Sequence, residues 1–134
     1  MKLIRFGESG KEKPGIIEGE KWYDVSSYIK DYDEDFFAND GINQLKEISA
    51  KNKLPEIDSA QRLGCPVSKP SKVVCIGLNY AKHAKETGAQ VPKEPILFFK
   101  ATTSDSGPND DIVISNNAVK TAEMFERAVV IGTR

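Results

Sequence analysis

The sequence has little of what soft-metal and redox chemistry require. It holds one histidine, His83, and two cysteines, Cys65 and Cys75, ten positions apart with no C-x-x-C spacing. Zinc held by Cys/His sets needs closer thiol pairs or further imidazoles, so that chemistry is excluded and the cysteines read as reduced, semi-buried thiols. An excess of one charge is also missing. With 19 basic and 20 acidic side chains the net charge is −1, which gives no whole-molecule attraction to nucleic acid or anionic lipid. No apolar run is long enough to span a bilayer, and Met1-Lys2-Leu3-Ile4-Arg5-Phe6 interrupts its apolar residues with charge, unlike a signal peptide. The expectation is a cytoplasmic protein with neither nucleic acid nor membrane as partner. A charge so close to zero leaves little colloidal repulsion against self-association.

What remains is an ordinary globular composition, 39% hydrophobic and 29% charged over 134 residues, enough for a modest core. The first stretch reads as a small β-rich module. Leu3–Phe6 is a short strand, and Gly15–Ile17 and Trp22–Val25 flank a hairpin turn at Gly19. The acidic, aromatic run from Asp31 to Phe37 reads as a solvated turn with two phenylalanines folded back. Asp40 is placed to cap a helix from Gly41 to about Lys51, with Ile42, Leu45 and Ile48 as its apolar stripe. Residues 53–72 hold three prolines and little periodicity, the pattern of a linker.

A second unit opens with Lys72–Ile76, an apolar run that suits a buried strand. Asn79 can cap a short helix through Tyr80, His83 and Glu86 that Gly88 closes. Pro95–Lys100 reads as the next strand, and Asp111–Ile114 as another, entered through the turn Gly107-Pro108-Asn109-Asp110. Ala128–Gly132 reads as a last apolar strand, in need of a neighbour to cover it.

His83 and Glu86 are the candidates for chemistry. Three positions apart on a helix, they share a face. A carboxylate holding one imidazole nitrogen fixes the tautomer and raises the basicity of the other, as a general base for water requires. The spacing alone also fits a solvated surface pair.

The flanking residues carry more. Val74-Cys75-Ile76-Gly77-Leu78-Asn79-Tyr80-Ala81, followed by His83-Ala84 and Glu86, resembles the segment that marks the fumarylacetoacetate hydrolase family. So do Lys93–Lys100 and Gly107–Ile114, in the same order, and the resemblance runs from about Ser71 to Gly132. The opening Met1–Phe6 resembles the small N-terminal domain of bacterial members. The implied fold class is α+β and β-rich: a small N-terminal α/β module with linker over 1–70, then the start of an incomplete mixed β-roll over 71–134. The implied activity is metal-dependent hydrolysis, decarboxylation or isomerisation of β-diketo and related oxo acids, with Mg²⁺ or Mn²⁺ chelating the keto-acid oxygens and stabilising an enolate. By the same resemblance His83 and Glu86 activate water, Lys100 lies near the site, and Asn79 and Tyr80 contact substrate. A homodimer is implied too.

The metal ligands set this chain apart. The family pattern is two glutamates in E-x-E on one strand, where alternate side chains share a face, and a later aspartate. Aligned on Lys120-Thr121 and Ala128–Gly132, Glu126 falls on the second glutamate and Met124 on the first. A thioether is a soft donor and a poor ligand for Mg²⁺. Adjacent Glu123 would point to the opposite face, and the downstream aspartate segment would lie past Arg134. One of three expected carboxylates predicts impaired metal binding. The alternative is a truncated, catalytically silent relative that persists as a binding or assembly unit.

Overall fold

The computed structural model describes residues 1–114, 116–118 and 127–132. The chain divides into two compact units, Met1–Ser68 with Ser106–Arg134, and Lys69–Asp105.

The first unit is built on a four-stranded antiparallel sheet in sequential order: β1 (Lys2–Phe6), β2 (Lys13–Glu18), β3 (Lys21–Asp24) and β4 (Glu56–Ile57). The β2–β3 hairpin turns at Gly19, whose φ of 62° is open to glycine at no steric cost. Cross-strand register places Leu3 opposite Ile16, and Ile16 opposite Tyr23. Directly opposed residues project to the same side of a sheet, so these three form one apolar row. Against it pack Val25, Ile29, Tyr32, Phe36, Leu45 and Leu54, which complete the core.

The acidic run is not a solvated turn. It forms α1 (Glu34–Ala38), capped by Asp33, whose Oδ1 accepts from the Phe36 amide at 3.0 Å. Glu34 and Asp35 occupy the first turn, where carboxylates face the positive end of the helix dipole. The aromatics go inward: Tyr32 is fully buried and its hydroxyl donates to the Gly15 carbonyl at 2.7 Å. Helix α2 (Gly41–Lys51) has the expected bounds, but Asp40 makes no side-chain cap. Asp40 sits in the left-handed region at φ 57°, and its carboxylate accepts from the Asn43 side chain instead. Leu45 is buried and Ile48 packs on the core, whereas Ile42 is exposed, so the stripe is narrower than its spacing predicts.

Much of the expected linker is part of this unit. Leu54 is in the core, residues 56–57 form β4, and Leu63 bridges Phe6. The prolines broke the periodicity without freeing the chain, because side chains and the sheet edge supply partners.

The second unit contains β5 (Val73–Gly77), α3 (Ala81–Glu86) and β6 (Ile96–Lys100), with β5 and β6 in an antiparallel pair. Val74 and Ile76 are exposed, against the expectation of a buried strand. Residues 111–114 and 128–132 were expected as strands, yet neither is paired. A strand exists through its ladder, and no described neighbour supplies one. Among the described residues no helix is long and apolar enough to cross a membrane.

Candidate active-site segment

Five of the six candidate residues lie in the second unit, on or beside α3 and at the end of β6. Strand β5 ends at Gly77, and Leu78 then turns the chain in the left-handed region at φ 50°. That conformation is costly for a side chain with a Cβ, and it marks the point where the backbone leaves the ladder for the helix. Asn79 was expected as the cap. The cap position falls on Tyr80, in extended conformation, with no side-chain cap bond. Its stop is as expected and well built. Gly88, at φ 69°, follows Thr87, its amide donates to the Lys85 carbonyl, and the Ala89 amide donates to the Ala84 carbonyl at 2.8 Å. These two bonds form a Schellman closure. The Thr87 hydroxyl adds bonds to the His83 and Ala84 carbonyls.

On this helix Ala84 is the buried anchor, His83 is half-buried, and Glu86 and Tyr80 are exposed. Among the described residues no hydrogen bond joins the His83 and Glu86 side chains, so the helix brings the two groups to neighbouring turns without coupling them. Lys100 ends β6 opposite Val73 and is exposed. Asn79 is exposed as well. The segment therefore displays the groups that a water-activating site needs, but does not enclose them. A shallow cavity in the first unit, lined by Tyr28, Asp31, Asp33, Phe36, Asn39 and Gln44 among others, contains none of them.

Glu126, the sixth candidate, lies outside the described residues, as do Glu123 and Met124. Among the described residues no three His, Cys, Asp or Glu side chains are grouped to hold an ion. On their own the described residues do not supply the oxygen set that Mg²⁺ or Mn²⁺ needs.

The first unit holds an ion network that sequence reasoning passed over. Arg62 donates through Nε and Nη2 to both carboxylate oxygens of Asp110, the Nε bond being 2.8 Å, and through Nη1 to Glu12 at 2.9 Å and to the Gly7 carbonyl at 3.1 Å. Asp110 is the last residue of Gly107-Pro108-Asn109-Asp110. Its carboxylate also accepts from the Gly107 amide at 2.8 Å, while its own amide donates to the Gly107 carbonyl. A Cβ at Gly107 would collide with the Leu63 carbonyl, so only glycine admits this approach. Alongside, Arg5 forms a fork to both oxygens of Asp31 at 2.7 and 3.1 Å. The Arg62 hydrogen bonds and the Gly107 amide hold the Asp110 carboxyl below its ordinary 3.8. Burial works against ionisation of Asp31 and Glu12, but for both it is outweighed: by Arg5, Ser68 and the Tyr32 amide at Asp31, and by backbone amides, Arg62 and Arg5 at Glu12. The signal available in the sequence was Asp110 after Gly-Pro-Asn; its partner, 48 positions away, was not.

Residues 72–134 match the model of the family described as fumarylacetoacetate (FAA) hydrolase, C-terminal. That segment belongs to the fumarylacetoacetate hydrolase family. It is 44% identical over 134 residues to a Burkholderia ambifaria protein named "Putative hydrolase", covering 99% of this chain and 47% of that one. A Burkholderia lata protein of the same description is 44% identical over 133 residues, covering 98% and 47%. The chain thus spans about half the length of the curated relatives it matches. Among solved structures, a "putative HpcE protein" from Mycobacterium smegmatis superposes with a TM-score of 0.69 at 24% identity, over 87% of this chain and 41% of that one. That likeness shows the fold, a sheet-rich α+β arrangement.

Proposed function

We propose that this chain contributes the water-activating part of a fumarylacetoacetate-hydrolase-type active site that acts on a small oxo acid. The observation that carries it is the short helix α3, where His83 and Glu86 stand one turn apart inside the family-matched segment and behind a costly left-handed turn. In the reading we favour, Glu86 holds one imidazole nitrogen and the other takes a proton from water, which attacks a carbonyl of a β-diketo acid. The carbon–carbon bond then breaks to leave an enolate and a carboxylate. Lys100 places a positive charge near the developing negative charge, and Asn79 and Tyr80 contact the substrate. Decarboxylation or isomerisation of the same substrate class uses the same groups. Residues 71–134 open the catalytic domain, behind a leading module. The complete enzyme is a cytoplasmic homodimer whose ion, Mg²⁺ or Mn²⁺, would be held by Glu126 with further oxygen donors.

The 134-residue chain is assayed with a panel of acylpyruvate-type β-diketo acids in the presence of Mn²⁺, by following loss of the enol absorbance. The expected result is turnover that falls about a hundredfold or more in His83→Ala. Undiminished turnover in that variant refutes the assigned role. A second reading, a catalytically silent binding unit, is favoured by Met124, a soft donor at a position that wants a carboxylate. It expects no turnover and no calorimetric binding of Mg²⁺ or Mn²⁺ tighter than millimolar. Micromolar binding that Glu126→Ala abolishes counts against it.

A further inference from the structure

Among the described residues the β5–β6 pair presents an exposed apolar surface. Its register sets Val74 opposite Phe99 and Ile76 opposite Leu97. Opposed residues share a face, and alternate residues of one strand do too. Val74, Ile76, Leu97 and Phe99 therefore form one continuous face, and they are 53, 45, 63 and 70% exposed. The other face carries Cys75 opposite Phe98 and Gly77 opposite Ile96, with Phe98 and Ile96 also exposed. A sheet apolar on both faces is the pattern of one buried on both sides. Among the described residues the sheet has two strands, so each has an edge with no described partner. An isolated two-stranded ribbon is marginal in water.

The length of the relatives identifies what covers it. Two relatives at 44% identity match this chain almost end to end while the match covers only 47% of their own length, and the family match reaches residue 134. We infer that the face of Val74, Ile76, Leu97 and Phe99 is the seat of polypeptide equivalent to the relatives' remaining half, and that this half binds here even when supplied as a separate chain. The inference rests on family membership and not on the catalytic roles of His83 and Glu86.

The test is complementation. The 134-residue chain is mixed with the half of the Burkholderia ambifaria protein that it does not match, and the mixture is examined by size-exclusion chromatography with light scattering. The expected result is a one-to-one complex, with the dye fluorescence that reports exposed apolar surface falling several-fold. Leu97→Lys weakens the complex at least tenfold, whereas Ile42→Lys, on exposed apolar surface of the first unit, leaves it unchanged. Equal loss in both variants overturns the assignment of the face. A mixture in which the chain stays alone, or forms only a homodimer that Leu97→Lys dissociates, overturns the identity of the occupant. Because loss of folding in Leu97→Lys would mimic weakened binding, amide exchange of β5 and β6 in that variant is compared with the parent. Weakened binding with parental exchange supports the seat, and parental affinity overturns it. A complex that forms but turns over no oxo acid leaves this inference standing and counts only against the proposed catalysis.

Discussion

The two units use similar apolar strands to different ends. In the first, β2 places Ile16 against Val25, Tyr32 and Leu45, and all four are 0% exposed. In the second, all five positions of β6 are exposed although Ile96-Leu97-Phe98-Phe99 is the more apolar run. The difference is the presence of a second layer. The first unit folds α1 and α2 onto its sheet within some fifty residues of chain, while among the described residues β5 and β6 pair only with each other. Apolar content alone does not make a core; a facing surface does.

That comparison can be broken most directly at the centre of the first core. Leu45→Ala is expected to destabilise the first unit by about 3 kcal/mol, the lost transfer energy plus a cavity. Urea unfolding followed by the fluorescence of Trp22, the single tryptophan and a β3 residue, reads this unit. If amide exchange in β5 and β6 rose in parallel, the units would not be energetically separate. Asp31→Ala should cost about 2 kcal/mol, since it leaves Arg5 with its fork unfilled.

The same carboxylates give the first unit an acid limit. Asp31, Glu12 and Asp110 have folded pKa values below their ordinary ones. As the pH falls through that window the unfolded chain binds more protons than the folded one, so stability falls with pH. Their contribution is complete above the ordinary carboxylate values and is lost as the pH drops through the lower folded ones. Trp22 melts between pH 6 and 3 should show this, and Asp31→Asn should flatten it. A profile unchanged by that substitution would remove the ion network from the account.

Tyr32→Phe removes the bond to the Gly15 carbonyl and should cost about 1 kcal/mol. The smallest effect belongs to the second unit. Phe99→Thr replaces an exposed side chain and should change first-unit stability by less than about 0.5 kcal/mol, while lowering aggregation measured by light scattering. A large loss of stability would mean that Phe99 is already covered in the free chain.

Much of this was legible beforehand. Hydrophobic alternation and Gly19 placed the β2–β3 hairpin, and the bounds of α2 and the glycine stop of α3 followed from local chemistry, because each is decided within a few residues. The pairs Arg62–Asp110 and Arg5–Asp31 were not, since the chain between partners carries no mark of their meeting. Asp33 and Asp40 show how near the two cases lie. Both have cap-forming side chains before a helix, but only Asp33 caps, because Asp40 is held in a left-handed conformation. At Gly41 a Cβ would collide with Phe36, so the turn between α1 and α2 leaves the chain no other path.

By itself the sequence determined the family, the order of most elements, and the presence of His83 and Glu86 on one short helix. Those depend on local periodicity and on motifs read in line. Tertiary structure alone decided that the acidic run would cap a helix and bind Arg5, that part of an apparent linker would join a sheet, and that Val74, Ile76, Leu97 and Phe99 would be exposed. The reason is physical. Burial and ion pairing depend on which surfaces meet across tens of residues, and no local pattern encodes the partner.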